Sequence, residues 1–355
     1  MTPTAAPDVA VIGGGVIGLS VAWTAARRGL TVTVFDRGPL GAGASHVAAG
    51  MLAPVTEADA GEPALLAAGL ESALRWPSFA AELEAAAGAP AGYRRCGALV
   101  VARDADEAEA LERERALREQ LGLAVTRLLG SEARRREPGL APGVRAALDV
   151  PDDHAVDPRA LVDALALACE RAGVALRPGE AVADPASLRA GRVVVASGAW
   201  AGAPVRPVKG QILRLRDPDG PGLLERVIRY EHGYIVPRGD GRYVLGATME
   251  ERGFDTTVTA GGVRELLAEA QLLVPGLDDL VLEETAAGLR PGTPDNGPLV
   301  GADAAGLVWA AGHHRNGILL APWTADAIAG LLAGEPMPES AAAFAPGRFA
   351  EVPAR

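Results

Sequence analysis

The sequence predicts an α/β protein with two domains, one built on a mainly parallel sheet and the other on an antiparallel sheet. Three observations predict this fold class. A strand, a glycine-rich turn and a helix follow one another at residues 9–29. Continuously apolar strands that end in glycine recur at residues 192–198 and 307–312, as in parallel sheets covered on both faces. Between residues 208 and 288 the strands are short and alternate in polarity, as half-buried antiparallel strands do.

The first turn has three glycines in the Gly-x-Gly-x-x-Gly spacing, namely Gly13, Gly15 and Gly18. The first glycine of such a turn lets the chain leave the strand sharply, and the second lets a pyrophosphate approach the backbone. The third lets the helix pack close to the sheet. The helix begins at Val16 and Ile17, where free N–H groups and the positive end of the helix dipole favour phosphate. The turn is therefore predicted to bind the pyrophosphate of a dinucleotide.

Asp36 ends the next strand, where a carboxylate can accept hydrogen bonds from ribose hydroxyls. Strand, turn, helix and acid together predict a dinucleotide-binding unit. A membrane span or secretion signal does not fit, because the apolar run follows Asp8, contains three consecutive glycines and has no basic residue before Arg27. An ordinary βα unit with a glycine-rich turn stays open as the weaker alternative.

The next elements follow from periodicity and from capping residues. Leucines at helical spacing predict a helix over residues 64–87, and an apolar run predicts a strand over residues 98–102. Charged pairs four residues apart predict a solvated helix over residues 104–121. An Asp-Pro pair, which is typical of a helix N-terminus, predicts a helix over residues 157–173.

The second half of the chain contains both types of strand. Alternating strands are predicted at residues 211–215, 233–237 and 242–246, with a helix at residues 262–273. After the apolar strand near residue 310, an apolar helix is predicted over residues 318–332.

The return of apolar strands late in the chain predicts a first domain that is discontinuous in sequence. The predicted dinucleotide-binding domain comprises residues 1–82, 144–205 and 288–340, and the predicted substrate-binding domain comprises residues 83–143 and 206–287.

The composition excludes two classes of partner. Acidic residues outnumber basic ones by 45 to 34, which gives a net charge of −11, and an acidic protein is not expected to bind nucleic acid or a membrane surface. Cys96 and Cys169 form neither a metal spacing nor a disulfide framework, so the sequence predicts a reduced, cytoplasmic protein. No metal site is expected at the adjacent His313 and His314, because neighbouring residues on a strand point apart and no third ligand is nearby.

Eight motifs occur in order along nearly the whole chain. They lie at residues 11–18, 48–52, 194–200, 207–211, 233–238, 246–249, 287–293 (AGLRPGT) and 312–322 (GHHRNGILLAP). Together they resemble the D-amino-acid-oxidase superfamily of FAD-dependent amine oxidases, and the last two are most similar to the glycine oxidases that serve thiamine biosynthesis. The resemblance implies an FAD-binding Rossmann-like domain of the glutathione-reductase type and an α+β substrate domain built on an antiparallel sheet.

By this resemblance, four side chains form the substrate site. Arg290 holds the substrate carboxylate, which agrees with the bidentate fit of a guanidinium to a carboxylate. Tyr234 closes over that carboxylate, Met249 lines the pocket, and Arg315 lies at the flavin edge. The alternatives are structural: Arg290 could be a strand-end arginine, and Tyr234 and Met249 could be packing residues.

The turn and the resemblance together place FAD-binding residues on both halves of the chain. Small residues over 38–54 favour backbone lying against a flat ligand, although a flexible loop is the alternative. The helix after Asn316 is expected to aim its N-terminus at the flavin ring, where its dipole stabilises negative charge. The predicted FAD contacts are Gly13, Gly15, Val16, Ile17, Gly18, Asp36, Arg37, Ala44, Ser45, Ala49, Gly50, Met51, Val182, Gly198, His313, His314, Arg315, Asn316, Gly317, Ile318 and Leu319.

The implied reaction is the oxidative deamination of glycine, with sarcosine and small D-amino acids as further substrates. A hydride passes from Cα to flavin N5, and no side chain is needed as a base, because the cofactor performs the difficult step. The imine gives glyoxylate and ammonia, or passes to the thiazole synthase of thiamine biosynthesis. Oxygen reoxidises the flavin and gives hydrogen peroxide. Relatives form homotetramers, and the same is expected here.

Three other functions share parts of this pattern. An FAD-dependent D-amino acid, proline or sarcosine dehydrogenase would pass its electrons to an acceptor other than oxygen. An NAD-dependent enzyme would need only the first motif, and the motif at residues 312–322 argues against it. A non-catalytic protein would keep FAD for structure alone.

The chain departs from the family in two places, and its only lysine is also worth comparing with relatives. The segment between Val182 and Val193 is short, where relatives carry a longer meander near the adenine. His46 stands where glycine oxidases commonly have a small residue, and some relatives attach flavin covalently through a histidine in this region; non-covalent FAD is nevertheless expected. Lys209, the only lysine, lies outside the place where some relatives use a lysine to activate oxygen.

Overall fold

The computed structural model describes residues 6–349, so the first five residues of the predicted dinucleotide-binding domain lie outside it. In chain order, the strands of the described residues are β1 (Val9–Ile12), β2 (Val32–Asp36), β3 (Met51–Leu52), β4 (Tyr93–Arg94), β5 (Ala98–Ala102), β6 (Thr126–Leu129), β7 (Ala146–Val150), β8 (His154–Val156), β9 (Ala175–Pro178), β10 (Arg192–Val195), β11 (Arg206–Arg216), β12 (Val227–Tyr230), β13 (Gly233–Pro237), β14 (Arg242–Gly246), β15 (Val281–Gly292), β16 (Leu299–Ala302) and β17 (Val308–Ala311).

The α-helices of the described residues agree with the predicted ones to within a few residues at most ends. They are α1 (Val16–Arg27), α2 (Ala44–Val47), α3 (Pro63–Ala87), α4 (Ala105–Gln120), α5 (Gly130–Arg136), α6 (Pro158–Arg171), α7 (Ala260–Gln271) and α8 (Ala321–Leu332). The predicted capping residue of α6 is confirmed, because the Asp157 carboxylate accepts a hydrogen bond from the Arg159 N–H.

Six strands form the first sheet, in the order β16–β17–β10–β1–β2–β9. All neighbours run parallel except β16 and β17, which confirms a mainly parallel sheet. β1 lies in the interior of the sheet because all four of its residues are apolar and can be buried on both faces. Helices α1, α3, α6 and α8 pack together beside this sheet, and their core includes the buried Trp23, Trp76 and Trp323.

Eight strands form the second sheet, in the order β15–β11–β14–β13–β12–β5–β7–β6. Its neighbouring strands are antiparallel except β12 and β5. This confirms the antiparallel sheet that the alternating pattern predicts. Fold class is therefore as expected: one mainly parallel and one mainly antiparallel sheet in a single chain.

Two strands correct the predicted domain boundaries. Residues 288–292 are assigned to the first domain by the sequence, yet they belong to β15, which pairs with β11 of the second sheet. Residues 144–205 are assigned to the first domain by the sequence, yet β7 pairs with β5 and β6 of the second sheet. A short, buried apolar strand has the same composition in either sheet, so its pattern does not identify its sheet. The small third sheet, β3–β8–β4, follows directly and joins segments assigned to both domains.

The turn between β1 and α1 has the close packing that its glycines predict. A Cβ on Gly18 would overlap the carbonyl oxygen of Gly13, and a Cβ on Gly13 would overlap the carbonyl of Ala196 in the segment after β10. Gly13 also has a φ of 111°, a conformation that other residues rarely adopt. The turn therefore brings α1 against β1 and places the helix N-terminus at the end of the sheet.

Helix α8 begins later than predicted. The sequence predicts a helix from residue 318, whereas residues 317–320 form a turn and the helix starts at Ala321. The Leu320 N–H donates to the Asn316 carbonyl oxygen over 2.8 Å and closes this turn. Pro322 accounts for the difference, because proline is favoured in the first turn of a helix and disrupts a helix interior.

Within residues 6–349, no helix combines the length and the apolar composition that crossing a bilayer requires. Histidine, cysteine and carboxylate side chains in this range form no group of three or more that could hold a metal ion.

We expect Gly18→Ala to destabilise the protein by about 1–3 kcal/mol or more, because the added Cβ overlaps the Gly13 carbonyl and pushes α1 away from β1. Urea unfolding followed by circular dichroism measures the change. Gly261→Ala is the matched control: it lies in α7, no atom approaches within 4 Å of the added Cβ, and alanine favours a helix by up to about 1 kcal/mol. Equal stability of the two variants would contradict the packing described here.

Candidate active site

A cleft of about 860 Å³ opens at the carboxyl ends of β1, β10 and β17. This is the edge of a parallel sheet at which nucleotides bind, and the volume falls in the usual range of about 300–1,000 Å³ for ligand sites. The second sheet contributes β13, β15 and the residues after β14 to the opposite wall. Of the predicted site residues, all except Gly18 and Leu319 line the cleft.

The two exceptions have structural contacts instead. Gly18 packs against the turn, as described above. Leu319 is buried, and its carbonyl oxygen accepts hydrogen bonds from Ser72 Oγ over 2.6 Å and from Trp76 Nε1 over 2.9 Å. The carbonyl oxygen of Leu319 is thus occupied, and the predicted flavin contact at this residue stays a prediction.

The N-terminus of α1 presents free donors to the cleft. Among residues 6–349, the N–H groups of Gly15 and Ile17 donate to no acceptor, whereas the Val16 N–H donates to Ser45 Oγ over 3.0 Å. Gly15 has no side chain over this position, and the nearest atom to a Cβ placed there is Ser45 Oγ at 3.3 Å. This arrangement suits a pyrophosphate.

Asp36 shapes the same turn. One carboxylate oxygen accepts the Gly14 N–H over 2.7 Å, and the other accepts the Gly38 N–H over 2.9 Å. Each oxygen keeps a further lone pair, so the carboxylate can still accept a ribose hydroxyl. Ribose recognition by Asp36 remains a prediction.

Arg37, Val182 and Gly198 also line the cleft. The guanidinium carbon of Arg37 is 3.7 Å from the centroid of the Trp200 ring, and Trp200 stacks on Phe254 with 5.6 Å between centroids. The short segment from residue 179 to 191 contains no strand and supplies Val182 to the lining, so the cleft retains a wall here without a longer meander.

Small residues between β2 and α3 form the middle of the cleft wall. Ala44 and Ser45 lie on α2, and Ala49, Gly50 and Met51 follow it into β3. Gly50 has a φ of 79°, and a Cβ there would overlap the carbonyl oxygen of Val156. The segment is thus an ordered wall of the cleft, in agreement with the expectation of backbone lying against a flat ligand.

The segment after β17 supplies a further part of the cleft wall. Among the described residues, the N–H groups of Gly317 and Ile318 donate to no acceptor. His313 is buried and its Nε2 lies 3.0 Å from Thr324 Oγ1. His314 has a φ of 45°, and neither of its ring nitrogens has a partner within residues 6–349.

Both imidazoles are neutral at physiological pH. Burial lowers the pKa of His313 to about 3. Burial also lowers the pKa of His314 to about 4, with further contributions from the positive charges of Arg290 and Arg315. A neutral imidazole offers one donor and one acceptor, so His314 can complement a polar ring edge without adding charge.

Arg290 projects from β15 toward the inner end of the cleft. Its Nη1 donates to the carbonyl oxygens of Thr248 over 3.2 Å and Lys209 over 3.4 Å. Among the described residues no carboxylate lies within 4 Å of it. Gly210 opposite makes room, because a Cβ there would overlap the guanidinium.

Tyr234 and Met249 flank this arginine on the second sheet. Tyr234 is half-buried, and burial raises the pKa of its phenol although the neighbouring Arg290 guanidinium opposes the change. The phenol therefore stays protonated and can donate a hydrogen bond. Met249 lines the cleft but is 62% exposed, so it forms the rim.

Two residues of this inner end escape sequence reasoning. Glu57 contacts the guanidinium of Arg229, and its Oε2 lies 2.6 Å from Arg315 Nε. All three line the cleft. Glu57 follows an apolar loop and Arg229 sits in a short strand, so neither belongs to a periodic or spaced pattern. The only available signal was a charged residue next to otherwise apolar segments.

His46 and Lys209 do not line the cleft. His46 is exposed on α2, and its carbonyl oxygen accepts hydrogen bonds from Arg159 and Arg214. The Lys209 ammonium is buried and lies 3.3 Å from Asp255 Oδ2 and 3.7 Å from Glu250 Oε2. Neither side chain is placed to react with a ligand in the cleft.

The chain matches the FAD dependent oxidoreductase family over residues 8–331. It belongs to this family. It is similar to the glycine oxidase of Geobacillus kaustophilus, with 37% identity over 92% of each chain. A crystal structure of glycine oxidase from Geobacillus kaustophilus aligns with a TM-score of 0.91 and 35% identity, covering 96% of this chain and 98% of that one.

The chain is also similar to the bifunctional protein ThiO/ThiG of Synechocystis, with 37% identity over 96% of this chain and 54% of that relative. It therefore spans about half the length of the bifunctional relatives that it matches.

Membership of this family makes FAD the cofactor, and the residues of the cleft fit it. The free N–H groups of Gly15 and Ile17 suit the pyrophosphate, and glycines keep the wall open where a Cβ would intrude. The free N–H groups of Gly317 and Ile318 and the unpartnered imidazole of His314 supply donors and an acceptor for a heterocyclic ring.

We expect His313→Gln to reduce the loss of stability that acidification causes. The folded pKa of about 3 lies below the ordinary value near 6.5, so below about pH 6.5 the unfolded chain binds a proton that the folded chain does not. Stability is therefore full above that pH and falls as the pH drops toward the folded pKa. Glutamine cannot titrate and can keep a hydrogen bond to Thr324.

Urea unfolding of the holoenzyme between about pH 5 and 7 measures the slope of the free energy of unfolding against pH. His232→Gln is the control, because His232 is exposed on a turn. A wild-type slope in His313→Gln would contradict the assigned neutral state.

Proposed function

We propose that this protein oxidises glycine with FAD, giving the imine, and that sarcosine and small D-amino acids are further substrates. The observation that carries the proposal is the guanidinium of Arg290, which reaches the inner end of the FAD cleft without a carboxylate partner among the described residues. Arg290 is half-buried, and its guanidinium fork matches the two oxygens of a carboxylate.

When bound, FAD supplies the two-electron oxidant for the bond between the amine nitrogen and the α-carbon. The protein positions the amine. Arg290 binds the carboxylate through its fork, and the protonated Tyr234 phenol donates a second hydrogen bond to it. Fixing the carboxylate at two points orients the α-carbon, which is the main contribution that the protein can make in the absence of a general base.

Glycine is favoured over larger amino acids by the surroundings of Arg290. Tyr234 fills the space beside Gly246, whose missing side chain accommodates the phenol ring. The similarity to glycine oxidase over 92% of both chains supports the same preference. We propose that FAD is held non-covalently, because the side chain of His46 does not line the cleft.

Molecular oxygen is the proposed electron acceptor, and hydrogen peroxide and glyoxylate with ammonia are the proposed final products. The alternative is a D-amino acid, proline or sarcosine dehydrogenase that uses a different acceptor. We further propose that the imine can pass to thiazole synthase in thiamine biosynthesis, which the relatives named ThiO/ThiG support. A cytoplasmic homotetramer is proposed from the resemblance to the family.

We expect Arg290→Lys to lower kcat/KM for glycine about 10- to 100-fold while FAD stays bound, because lysine keeps the charge but loses one charge-assisted hydrogen bond. Anaerobic bleaching of the flavin by glycine measures amine oxidation. Peroxide formation compared with reduction of an artificial acceptor separates an oxidase from a dehydrogenase. Arg206→Lys is the control, since Arg206 is half exposed and pairs with Glu251. Unchanged kinetics in Arg290→Lys would count against the proposal.

We expect Gly210→Ala to raise the KM for glycine, because the added Cβ takes the space of the Arg290 guanidinium and shifts it from the carboxylate. Steady-state kinetics and the flavin content of the purified protein are the measurements. Gly143→Ala, where no atom lies within 4 Å of the added Cβ, is the control. A wild-type KM in Gly210→Ala would show that the guanidinium does not need its present position.

A further inference from the structure

The carboxylate of Glu57 is shared between two guanidinium groups on the cleft wall. Its Oε1 accepts a hydrogen bond from Arg229 Nη1, and its Oε2 lies 2.6 Å from Arg315 Nε. Burial would raise the pKa of Glu57, but Arg229 and Arg315 outweigh it and lower the pKa below its ordinary value. Glu57 is thus ionised, and each oxygen is engaged by one arginine.

The backbone that carries Glu57 is held firmly. The buried Asp153 carboxylate accepts the N–H groups of Val55 and Thr56, each over 2.9 Å. The Arg118 guanidinium donates to the carbonyl oxygens of the same two residues over 3.1 and 2.9 Å. The backbone just before Glu57 is therefore held by contacts with Asp153 and Arg118.

The inner end of the cleft holds more positive than negative charge. Arg229, Arg290 and Arg315 line it, and Glu57 is the acid in contact with two of them. Glu231 also lines the cleft, but its side chain is 61% exposed and lies 3.6 Å from His232 Nε2. Glu57 pairs with Arg229 and Arg315 but not with Arg290. The inner end of the cleft can therefore accept one carboxylate, at Arg290.

We propose that Glu57 determines the substrate class, restricting the enzyme to amines that carry a single acidic group. The proposal rests on the proposed function, in which Arg290 binds the substrate carboxylate. A second carboxylate would have to bind Arg229 or Arg315, whose positive charges Glu57 already compensates. It would also be repelled by the negative charge of Glu57 in a site where few water molecules screen the interaction.

Sarcosine and iminodiacetate form a matched pair of probes, because they differ only by a carboxylate on the N-methyl group. We expect Glu57→Gln to raise the ratio of kcat/KM for iminodiacetate to that for sarcosine by about tenfold or more, as one gained charge-assisted hydrogen bond would do. In the same variant, malonate should gain affinity relative to acetate when both are titrated against the flavin spectrum of the resting holoenzyme.

Two variants serve as controls. Glu57→Asp keeps the charge and should retain the wild-type ratio, which a purely structural role of the longer side chain would not give. Glu71 does not line the cleft, and its carboxylate pairs with Arg75 at 2.6 Å. Glu71→Gln should therefore leave both ratios unchanged.

Removing one partner of a buried ion pair is destabilising, so Glu57→Gln can fail to fold. The double variant Glu57→Gln/Arg229→Met then replaces the buried pair and leaves Arg315, which is 40% exposed, as the freed guanidinium. In this double variant, the ratio of kcat/KM for iminodiacetate to that for sarcosine should also rise.

The outcomes separate this inference from the proposed function. Failure of the wild-type enzyme to oxidise glycine or sarcosine would overturn the proposed function. Oxidation of sarcosine with unchanged ratios in every folded Glu57 variant would overturn the role of Glu57 alone.

Discussion

The site depends on backbone N–H groups that the fold leaves without acceptors. At the start of α1 they belong to Gly15 and Ile17, and before α8 they belong to Gly317 and Ile318. These donors line the cleft, where backbone N–H groups without acceptors favour a bound ligand rich in acceptors. The glycines maintain this arrangement, because a Cβ on Gly13 or Gly18 would overlap backbone atoms and move the helix away from the sheet.

The inner end of the cleft adds a separate electrostatic constraint. Arg290 provides a cation that donates to two carbonyl oxygens over 3.2 and 3.4 Å and contacts the Tyr234 phenol, while Glu57 compensates Arg229 and Arg315. The neutral His314 lies among these charges without adding to them. The backbone donors that suit the cofactor follow strands of the parallel sheet, whereas Arg229 and Arg290 lie on strands of the antiparallel sheet.

The sequence predicted those parts of the structure whose conformation follows from local chemistry. The glycine turn, the capping Asp157 and the apolar and alternating strands all have local signatures, and both sheets are confirmed. Arg290 and Tyr234 came from the resemblance, and they do meet in the cleft. The start of α8 was predicted too early because apolar periodicity continues through a turn that Pro322 sets.

Other features arise only from long-range packing. The placement of β7 depends on its pairing with β5 and β6, which no pattern within the strand reveals. Glu57 contacts Arg229, which is 172 residues away in sequence. Asp153 and Arg118, which hold the backbone before Glu57, are also distant in sequence. Leu319 lies one residue after a lining residue but turns its carbonyl toward α3. Such contacts have no counterpart in sequence spacing.

The stack of Arg37, Trp200 and Phe254 has a mechanical consequence. Arg37 and Trp200 follow strands of the parallel sheet, whereas Phe254 lies in the loop beyond β14 of the antiparallel sheet. Any motion that moves the two sheets apart at this stack must separate the Phe254 ring from the Trp200 ring. Separating the two rings costs about 0.5–1.5 kcal/mol of aromatic attraction, so this contact favours the arrangement in which the two sheets stay together there.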